Sequence, residues 1–378
     1  MRRRIVIVGG GIGGLCAARA VALAGHEPVV LERSPAGTAI GAGLLLWPNA
    51  VQALDALGLG AAVRAVAAPA RRTVFRDAAG RTLSTVDVAA LARRAGAPML
   101  VVERPALHAL LADGVAVRGG VTVAAVDARG VVLAGGERVD GDAVIGADGI
   151  GSVVREHVCP GTRPRDTGYT VIRGIAECDI GAGEAFEAWG RGALVGGVAL
   201  PGGRSYWFFE APSNLVDGRD PLAAVGDRWP APLPAQLAAT PPESLLVNRI
   251  QRLPPLPTWT RGTVALLGDA AHAMEPNMGQ GAAQTIEDAE ALLVALRAHD
   301  LPAALAAYAT ARRPRAHLFQ QESSRFARLA LSTHTRPRDL TMRLTPAPLR
   351  LRAMELLLRR HAPDAPGRRT PGRRGRPG

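Results

Sequence analysis

Residues 5–32 read IVIVGGGIGGLCAARAVALAGHEPVVLE, and this stretch decides the fold. The apolar run Ile5–Val8 predicts a strand, Leu15–Ala24 has helical composition, and Pro28–Leu31 predicts a second strand. Glycines occupy every position from 9 to 14 except 12, directly between the first strand and the helix. Together these residues predict a βαβ unit whose turn brings a helix N-terminus close to a bound pyrophosphate.

The glycines Gly9, Gly11 and Gly14 have the G-x-G-x-x-G spacing of a dinucleotide-binding turn. Glu32 closes the second predicted strand, where a carboxylate can accept hydrogen bonds from an adenosine ribose. The spacing alone also fits an ordinary glycine-rich turn, and the whole unit also fits an NAD dehydrogenase. Strand, helix and acid together favour a dinucleotide site over the ordinary turn.

The positive charge of the chain is concentrated at its C-terminal end. The formal net charge is +12, yet the segment from Arg336 onward carries twelve Arg against three carboxylates, so the rest of the chain is nearly neutral. This distribution disfavours a nucleic-acid-binding body. A basic tail could contact acidic membranes or RNA, but a solubilising tail is the preferred interpretation.

Residue usage excludes several kinds of site. No lysine occurs in the sequence, which rules out a lysine Schiff base and the lysine of a P-loop. The cysteines Cys16, Cys159 and Cys178 are widely spaced and form no C-x-x-C pair, which argues against a disulfide framework or a zinc site. We therefore expect no metal, and a reducing cytoplasm fits this cysteine usage best.

The N-terminus could also be interpreted as a secretory signal, because basic residues 2–4 precede an apolar stretch. The glycines from 9 to 14 would break the apolar helix of such a signal, and the stretch continues into a second apolar strand. No later run of about 18 apolar residues is free of Gly, Pro and charge, so the sequence predicts no integral membrane segment.

With 378 residues and 48% hydrophobic content, the chain can bury a large core. Further elements are predicted in the first half of the chain. They are a Gly-rich loop at Gly41–Gly43, a helix at Pro48–Leu57, a hairpin of Arg72–Phe75 with Arg81–Val86, a helix after Arg104, and strands at Val121–Asp127, Val131–Leu133 and Ala143–Gly146 that lead back to the nucleotide-type sheet.

The middle of the chain changes character. Extended patterns over Tyr169–Ala176 and Leu194–Glu210 alternate with Gly and Pro turns and predict an antiparallel sheet of a second domain. A strand at Thr263–Leu267 and helices at Gly279–Leu296 and Pro302–Phe326 then complete the first domain.

This order predicts one discontinuous domain with an inserted sheet. The first domain takes residues 1–70, 98–166 and 257–330, and the substrate domain takes 71–97 and 167–256. Residues 331–378 are expected to hold one amphipathic helix, Pro348–Arg360, followed by a basic tail whose last dozen residues are disordered.

Two further motifs follow predicted strands. The first is Gly146-Ala147-Asp148-Gly149, with Ser152 and Arg155 behind it. The second is Gly268-Asp269-Ala270-Ala271-His272, followed by Pro276 and by Gly279-Gln280-Gly281. With the glycine turn, the chain from about Arg4 to Phe326 resembles the class A flavoprotein monooxygenases, the para-hydroxybenzoate hydroxylase-like family that includes salicylate, 3-hydroxybenzoate and urate hydroxylases.

The resemblance implies an α/β fold: a Rossmann-like, glutathione-reductase-like FAD-binding domain with an inserted, mainly antiparallel β-sheet substrate domain and C-terminal helices. It implies noncovalent FAD that NADH or NADPH reduces and that reacts with O₂ to a C4a-hydroperoxide, which hydroxylates a small aromatic or heteroaromatic substrate. An epoxidase or another tailoring oxygenase on the same fold remains an alternative, as does a non-catalytic FAD-binding protein. Halogenation is disfavoured because that flavin chemistry characteristically employs a lysine.

The resemblance also implies roles for individual residues. The ADP half of FAD would be bound by Gly9, Gly11, Gly13, Gly14, Glu32 and Arg33, with Arg104 nearby. Asp148 and Gly149 would belong to an element for FAD and the nicotinamide cofactor, Asp269 would hold the ribityl chain, and Pro276, Gly279, Gln280 and Gly281 would lie against the isoalloxazine ring. Backbone N–H groups at that helix start can stabilise negative charge on the reduced ring.

Several of these residues also have ordinary structural interpretations. Asp269 could be a helix N-cap, and His272 is more readily a structural histidine than a catalytic base. Tyr206 and Phe208 alternate with Trp207 and Phe209, so one pair is expected to face the substrate cavity, with Tyr206 inward by resemblance, unless all four are sheet core. Arg173 could pair with a substrate carboxylate or lie solvated on the surface.

Overall fold

A computed structural model describes residues 1–35, 42–127 and 129–359. Its strands are β1 (Arg4–Val8), β2 (Glu27–Leu31), β3 (Gly43–Leu46), β4 (Ala68–Pro69), β5 (Arg72–Asp77), β6 (Thr82–Asp87), β7 (Leu100–Glu103), β8 (Val117–Arg118), β9 (Val123–Asp127), β10 (Gly130–Leu133), β11 (Arg138–Asp140), β12 (Ala143–Gly146), β13 (Arg165–Ala176), β14 (Glu184–Trp189), β15 (Leu194–Ala199), β16 (Ser205–Pro212), β17 (Leu246–Arg252), β18 (Thr260–Arg261) and β19 (Val264–Leu266).

The α-helices alternate with these strands in the first half of the chain and dominate its end. They are α1 (Ile12–Leu23), α2 (Pro48–Ala56), α3 (Gly60–Val66), α4 (Val88–Ala95), α5 (Arg104–Ala112), α6 (Val153–Val158), α7 (Ser213–Val216), α8 (Pro221–Val225), α9 (Leu233–Ala238), α10 (Asp269–His272), α11 (Gly281–Ala298), α12 (Leu301–Ala330), α13 (Thr335–Leu344) and α14 (Ala347–Leu358). A 3₁₀ turn at Pro276–Met278 precedes α11.

The glycine turn belongs to a six-stranded sheet with the order β18-β19-β12-β1-β2-β8. β1 pairs in parallel with β2 and β12, and β12 pairs in parallel with β19. The predicted βαβ unit is therefore confirmed. β2 lies on one side of β1 and β12 on the other, so the strand order reverses at β1. The carboxyl ends of β1, β12 and β19 therefore meet at the position where open α/β sheets bind ligands. All three sequence motifs follow these ends.

The expectation that Val121–Asp127 and Val131–Leu133 join this sheet is wrong. β9, β10 and β11 form a separate antiparallel sheet, and only Ala143–Gly146 enters the main sheet, as β12. The connections between these strands are short, whereas a parallel strand needs a crossover of a dozen or more residues. Val131 and Val139 pack into the same core as Val154 of α6, so the small sheet covers one side of the main one.

A seven-stranded sheet has the order β17-β13-β16-β15-β14-β5-β6. The predicted hairpin is confirmed as β5 and β6, and the two predicted extended segments correspond to β13 and to β15 with β16. The sequence patterns missed β14 and β17. The sheet unites strands from 71–97 with strands from 165–252, while the domain boundaries themselves stay a prediction.

Two long helices lie behind the first sheet. α11 starts two residues later than predicted, at Gly281, and α12 runs through Pro314 without interruption. α1 packs closely on α11, because a Cβ on Gly13 would lie 2.8 Å from Thr285 Cγ2. This contact fixes the start of α11 relative to the glycine turn.

The C-terminal segment docks on the body and holds two helices, whereas one helix was expected after Ala330. It forms α13 and α14, and the guanidinium of Arg338, 3% exposed, donates to the carbonyls of Trp189 and Gly190. Leu358 near the end of α14 is buried as well. Arg360 and the last dozen residues, for which disorder was expected, lie outside the described residues, as does Gly41 of the predicted Gly-rich loop. None of the described helices is long and apolar enough to span a membrane.

Candidate cofactor and substrate site

The turn between β1 and α1 is determined by backbone contact. Gly9 has φ of +104°, and a Cβ on Gly14 would lie 1.8 Å from the carbonyl oxygen of Gly9. A Cβ on Gly11 would instead meet open space. No side chain caps the N-terminus of α1, so its first N–H groups are free to bind an anion in that space.

Glu32 lies beside this turn. Its Oε2 accepts from the N–H of Gly10 at 2.6 Å and its Oε1 from the N–H of Ser34 at 2.8 Å. Partial burial alone would raise its pKa, but the backbone hydrogen bonds outweigh burial and hold the pKa of Glu32 below its usual value. The carboxylate is thus ionised and fixed at the end of β2, where the sequence predicts ribose binding.

Three basic residues differ in their relation to this turn. Arg33 and Arg104, both predicted to bind the ADP half, are exposed. His108 of α5 was not predicted, yet its Nε2 lies 2.8 Å from the carbonyl oxygen of Gly10. Its only sequence signal is the position one helical turn after Arg104, which is too weak to single out a histidine.

Asp148 organises the loop after β12. Its Oδ1 accepts from Ser152 Oγ at 2.6 Å and its Oδ2 from the N–H of Val153 at 2.7 Å. Burial raises the pKa of Asp148 despite these bonds. Arg155 below it donates to the carbonyls of Ile150 and Ala270, and so ties the second motif to the third. Gly149, with φ of +76°, completes the turn.

Asp269 begins α10 directly after β19. Gly268, with φ of +65°, is the N-cap, and Asp269 is exposed. The capping interpretation of Asp269 is therefore wrong, and its carboxylate is available at the carboxyl edge of the sheet. His272 is fully buried and its Nε2 lies 2.6 Å from Asp288 Oδ2, which supports the structural interpretation of this histidine.

The segment 276–281 forms the rim of the site facing β3. Gly279 has the left-handed φ of +61°, a Cβ there would lie 3.2 Å from Trp47 Nε1, and a Cβ on Gly281 would meet open space. The side chain of Gln280 does not face the rim: its Oε1 accepts from Asn49 Nδ2 at 3.1 Å inside the protein. Trp47 Nε1 is buried without a hydrogen-bond partner among the described residues.

A buried ionic network, which we call the Arg312 network, supports both this rim and the Asp269 turn. Arg312 donates to Asp288 Oδ1 at 2.8 Å and also to Glu287. Asp288 accepts from the backbone N–H of Gly268 at 3.0 Å. Glu287 accepts from Asn49, the same side chain that bonds Gln280. Coulombic attraction to Arg312 lowers the pKa of Glu287 to about 2 although burial opposes it.

The face of the seven-stranded sheet that lies toward β3 carries Tyr206 and Phe208, which we call the aromatic floor. The Tyr206 ring packs on Gly43, where a Cβ would lie 2.5 Å from the ring, and the Phe208 ring covers Gly196 at 2.4 Å from a would-be Cβ. Their ring centroids are 6.1 Å apart. Trp207 and Phe209 pack in another core on the opposite face, as the predicted alternation requires.

Polar side chains border the floor. Arg173, partly buried, donates to Asn248 Oδ1 at 3.2 Å, and its charge counteracts the burial that raises the pKa of Tyr206. Two carboxyl groups that the sequence interpretation missed, Glu187 and Glu210, lie on the same face because β14 and β16 both pair with β15. Since β14 went unrecognised, the sequence offered no signal that they are neighbours.

The residues present fit FAD. The uncapped N-terminus of α1, the open space over Gly11 and the ionised Glu32 provide what the pyrophosphate and ribose of an adenine dinucleotide require. α11 likewise begins without a side-chain cap, beside the unpartnered donor Trp47 Nε1. These free donors lie along one edge, where a flavin dinucleotide would extend from α1 to α11.

The chain matches the FAD binding domain family over residues 2–171 and 255–323. It is 36% identical over 342 residues to the aurachin C monooxygenase/isomerase of Stigmatella aurantiaca, covering 86% of this chain and 89% of that protein. It is 33% identical over 324 residues to the FAD-dependent urate hydroxylase of Klebsiella pneumoniae, covering 81% and 84%. The structure of Klebsiella pneumoniae HpxO with FAD and uric acid matches with a TM-score of 0.85 at 27% identity, over 94% of this chain and 96% of that one.

The matched family ranges contain all three motif turns and leave out most of the seven-stranded sheet. They therefore identify the cofactor, while the aromatic floor lies in the part of the chain that the family match does not cover. Noncovalent FAD, NADH or NADPH as reductant and oxygenation of substrate follow from this membership. The chain belongs to the class A FAD-dependent monooxygenases.

Proposed function

We propose that this enzyme hydroxylates a small aromatic or heteroaromatic substrate held between the segment 276–281 and the aromatic floor. One observation carries the proposal: Asn277 Nδ2 donates to Glu210 Oε2 at 2.7 Å. This bond joins the segment predicted to face the flavin ring to the sheet face that bears Tyr206 and Phe208. A flat ring between them would touch both surfaces.

When bound, FAD would supply the redox chemistry of hydride acceptance from the nicotinamide cofactor and of dioxygen activation. The chain supplies binding and orientation. The N–H groups at the start of α1 hold the pyrophosphate, and Glu32 accepts from the ribose hydroxyls. The N–H groups at the start of α11 stabilise negative charge on the flavin ring.

The aromatic floor orients the substrate and excludes water. Tyr206 is packed among Val101, Val198 and Leu200, so the ring it presents is part of an apolar wall. Its hydroxyl remains protonated, because burial raises its pKa above the usual value. Tyr206 therefore positions a substrate by one hydrogen bond and does not act as its base.

A substrate screen tests this function. FAD-loaded protein is supplied with NADH or NADPH and a panel of aromatic and heteroaromatic compounds, and nicotinamide oxidation, oxygen uptake and peroxide are measured together. We expect one compound class to stimulate oxidation with little peroxide and to yield a product that carries one oxygen atom from labelled O₂. Oxidation that yields only peroxide with every compound would contradict the proposal.

The alternatives give different readings in the same screen. An epoxidase also incorporates one oxygen atom, so the position of that atom is determined by NMR of the product. A non-catalytic FAD-binding protein would be yellow and would show no substrate-stimulated oxidation.

A further inference from the structure

The aromatic floor is bordered by carboxyl groups on two sides. Strand register places Arg173, Phe208, Gly196 and Glu187 in one row across β13, β16, β15 and β14. Glu210 lies two residues beyond Phe208 along β16 and therefore projects from the same face. Gly196 contributes no side chain, so only the Phe208 ring lies between Arg173 and Glu187.

Hydrogen-bond acceptors at this border remain free. Glu187 uses Oε2 for Trp189 Nε1 at 2.8 Å, and Glu210 uses Oε2 for Asn277 Nδ2 at 2.7 Å. Neither Oε1 atom has a hydrogen bond to any residue that the structure describes. Asn277 Oδ1 is buried and has no donor among these residues either. A buried acceptor without a donor costs free energy, so a ligand that donates to Asn277 Oδ1 would bind favourably beside the two open Oε1 atoms.

The two carboxyl groups that border the floor, Glu187 and Glu210, both have raised pKa values. Burial, together with repulsion from Glu187 and Glu275, raises the pKa of Glu210 to about 7, although Asn277 and Arg173 counteract it. Burial likewise raises the pKa of Glu187 to about 7. The charged groups around Glu210 are Arg173 and Glu187 on the sheet, together with Glu275, Arg165, Asp166, Arg252 and Arg328, which line a cavity beside Glu210.

Arg173 does not offset these carboxyl groups in favour of an anionic ligand. Its guanidinium is already bonded to Asn248 and lies beside Glu210. A substrate carboxylate on the floor would face Arg173 on one side and two acidic groups on the others. The predicted pairing of Arg173 with a substrate carboxylate is therefore disfavoured by its neighbours.

We propose that Glu210 and Glu187, with Asn277 Oδ1, accept hydrogen bonds from ring N–H or amino groups of the substrate, so that the enzyme selects uncharged nitrogen heteroaromatics and rejects aromatic carboxylates. This inference rests on the proposed function, because it assumes that the substrate lies on the aromatic floor.

Binding of three probes to FAD-loaded protein tests the inference. The probes are 4(1H)-quinolone, its N-methyl derivative, which lacks the ring N–H, and salicylate, and binding is followed by the change in flavin absorbance. We expect 4(1H)-quinolone to bind about tenfold or more tightly than N-methylquinolone, as one hydrogen bond to a carboxylate implies, and salicylate to bind weakest.

Single-residue variants then show which carboxyl group causes the preference for 4(1H)-quinolone over its N-methyl derivative. Glu210→Gln should remove most of the tenfold preference, and Glu187→Gln should reduce it. Glu184→Gln on the same strand β14 should keep it, because Glu184 pairs with Arg72 away from the floor. Retention of FAD absorbance in each variant shows that it is folded.

The pH dependence gives an independent reading. A carboxylate accepts from N–H and a neutral carboxyl does so less well, so affinity for 4(1H)-quinolone should rise as pH increases through about 7. This rise should be smaller in Glu210→Gln and absent with N-methylquinolone.

Three outcomes would overturn the inference: equal affinity for the quinolone pair, a preference that survives in both Glu variants, or no binding of 4(1H)-quinolone up to its solubility limit. A different result is expected if the proposed function is wrong but this inference is right. In that case the quinolone preference and its loss in Glu210→Gln persist, while no compound in the screen gives an oxygenated product.

Discussion

The carboxyl edge of the six-stranded sheet and the aromatic floor of the seven-stranded sheet meet at segment 276–281 but are built differently. The edge is made of backbone: glycine turns and free N–H groups after β1 and β19. The floor and its polar border are made of side chains from three strands, β13, β14 and β16, which only strand register brings together. In the proposed function, the cofactor shared by the family is held by local backbone geometry, and the substrate is recognised by a non-local set of side chains.

The largest loss of FAD binding is expected when the backbone turn is blocked. Gly14→Ala places a Cβ 1.8 Å from the carbonyl of Gly9, so the turn cannot form and FAD binding should fall by at least about 100-fold. FAD affinity is measured by fluorescence quenching on apoprotein. Gly135→Ala is the control, since its Cβ would meet open space. Near-normal FAD affinity in Gly14→Ala would mean that the turn does not hold the cofactor.

Both regions depend on the Arg312 network behind them. Arg312→Met removes the guanidinium that Glu287 and Asp288 share and leaves two buried carboxylates side by side, which should cost about 3–5 kcal/mol of unfolding free energy. Chemical denaturation measures the loss. Arg325→Met on the same helix breaks only the exposed pair with Glu322 and should cost at most about 1 kcal/mol. Equal losses would contradict the supporting role of the network.

Tyr206→Phe separates the two regions, because it changes the aromatic floor and leaves the carboxyl edge of the six-stranded sheet unchanged. FAD binding should be preserved, while substrate affinity or the ratio of product to peroxide changes about tenfold if one hydrogen bond is lost. Oxygen uptake with product quantification measures both. The placement of the floor fails if Tyr206→Phe and Tyr206→Ala both leave affinity, coupling and product pattern unchanged.

The smallest effect is expected at the C-terminus. Removal of residues 367–378 should leave FAD content and turnover within about twofold, whereas removal from Pro346 onward also deletes α14, whose last carbonyls accept from Arg315 beside Glu287. Thermal unfolding should separate the two truncations. Equal stability of both would show that α14 contributes nothing to the body.

Local patterns predicted the edge because each of its parts is contiguous in sequence. Gly9–Gly14 and Glu32 lie within one βαβ unit, and Asp148 and Asp269 each follow one apolar strand. Alternation along β16 predicted that Tyr206 and Phe208 share a face, but the carboxyl groups that border the floor were not predicted. Glu187 was missed because its neighbours across β15 and β16 are fixed by register, which sequence spacing does not encode.

The C-terminal segment shows the same limit. Its arginines predicted a solvated tail, yet Arg338 is buried because carbonyls of Trp189 and Gly190 receive its guanidinium. Hydrogen bonds to carbonyls distant in sequence have no local signal. Composition therefore indicated which segment carries the positive charge, but it did not indicate that the Arg338 side chain is buried.

The FAD affinity of Asp269→Ala, compared with that of Asp300→Ala, tests the central placement of the cofactor most directly. Both residues are exposed aspartates at the start of a helix, and only Asp269 lies at the carboxyl edge of the six-stranded sheet. Fluorescence titration of the two apoproteins should give a loss of at least about tenfold for Asp269→Ala, as loss of a charged hydrogen bond implies, and less than about twofold for Asp300→Ala. Equal affinity in the two variants would contradict the account, because the cofactor would then not lie along this edge.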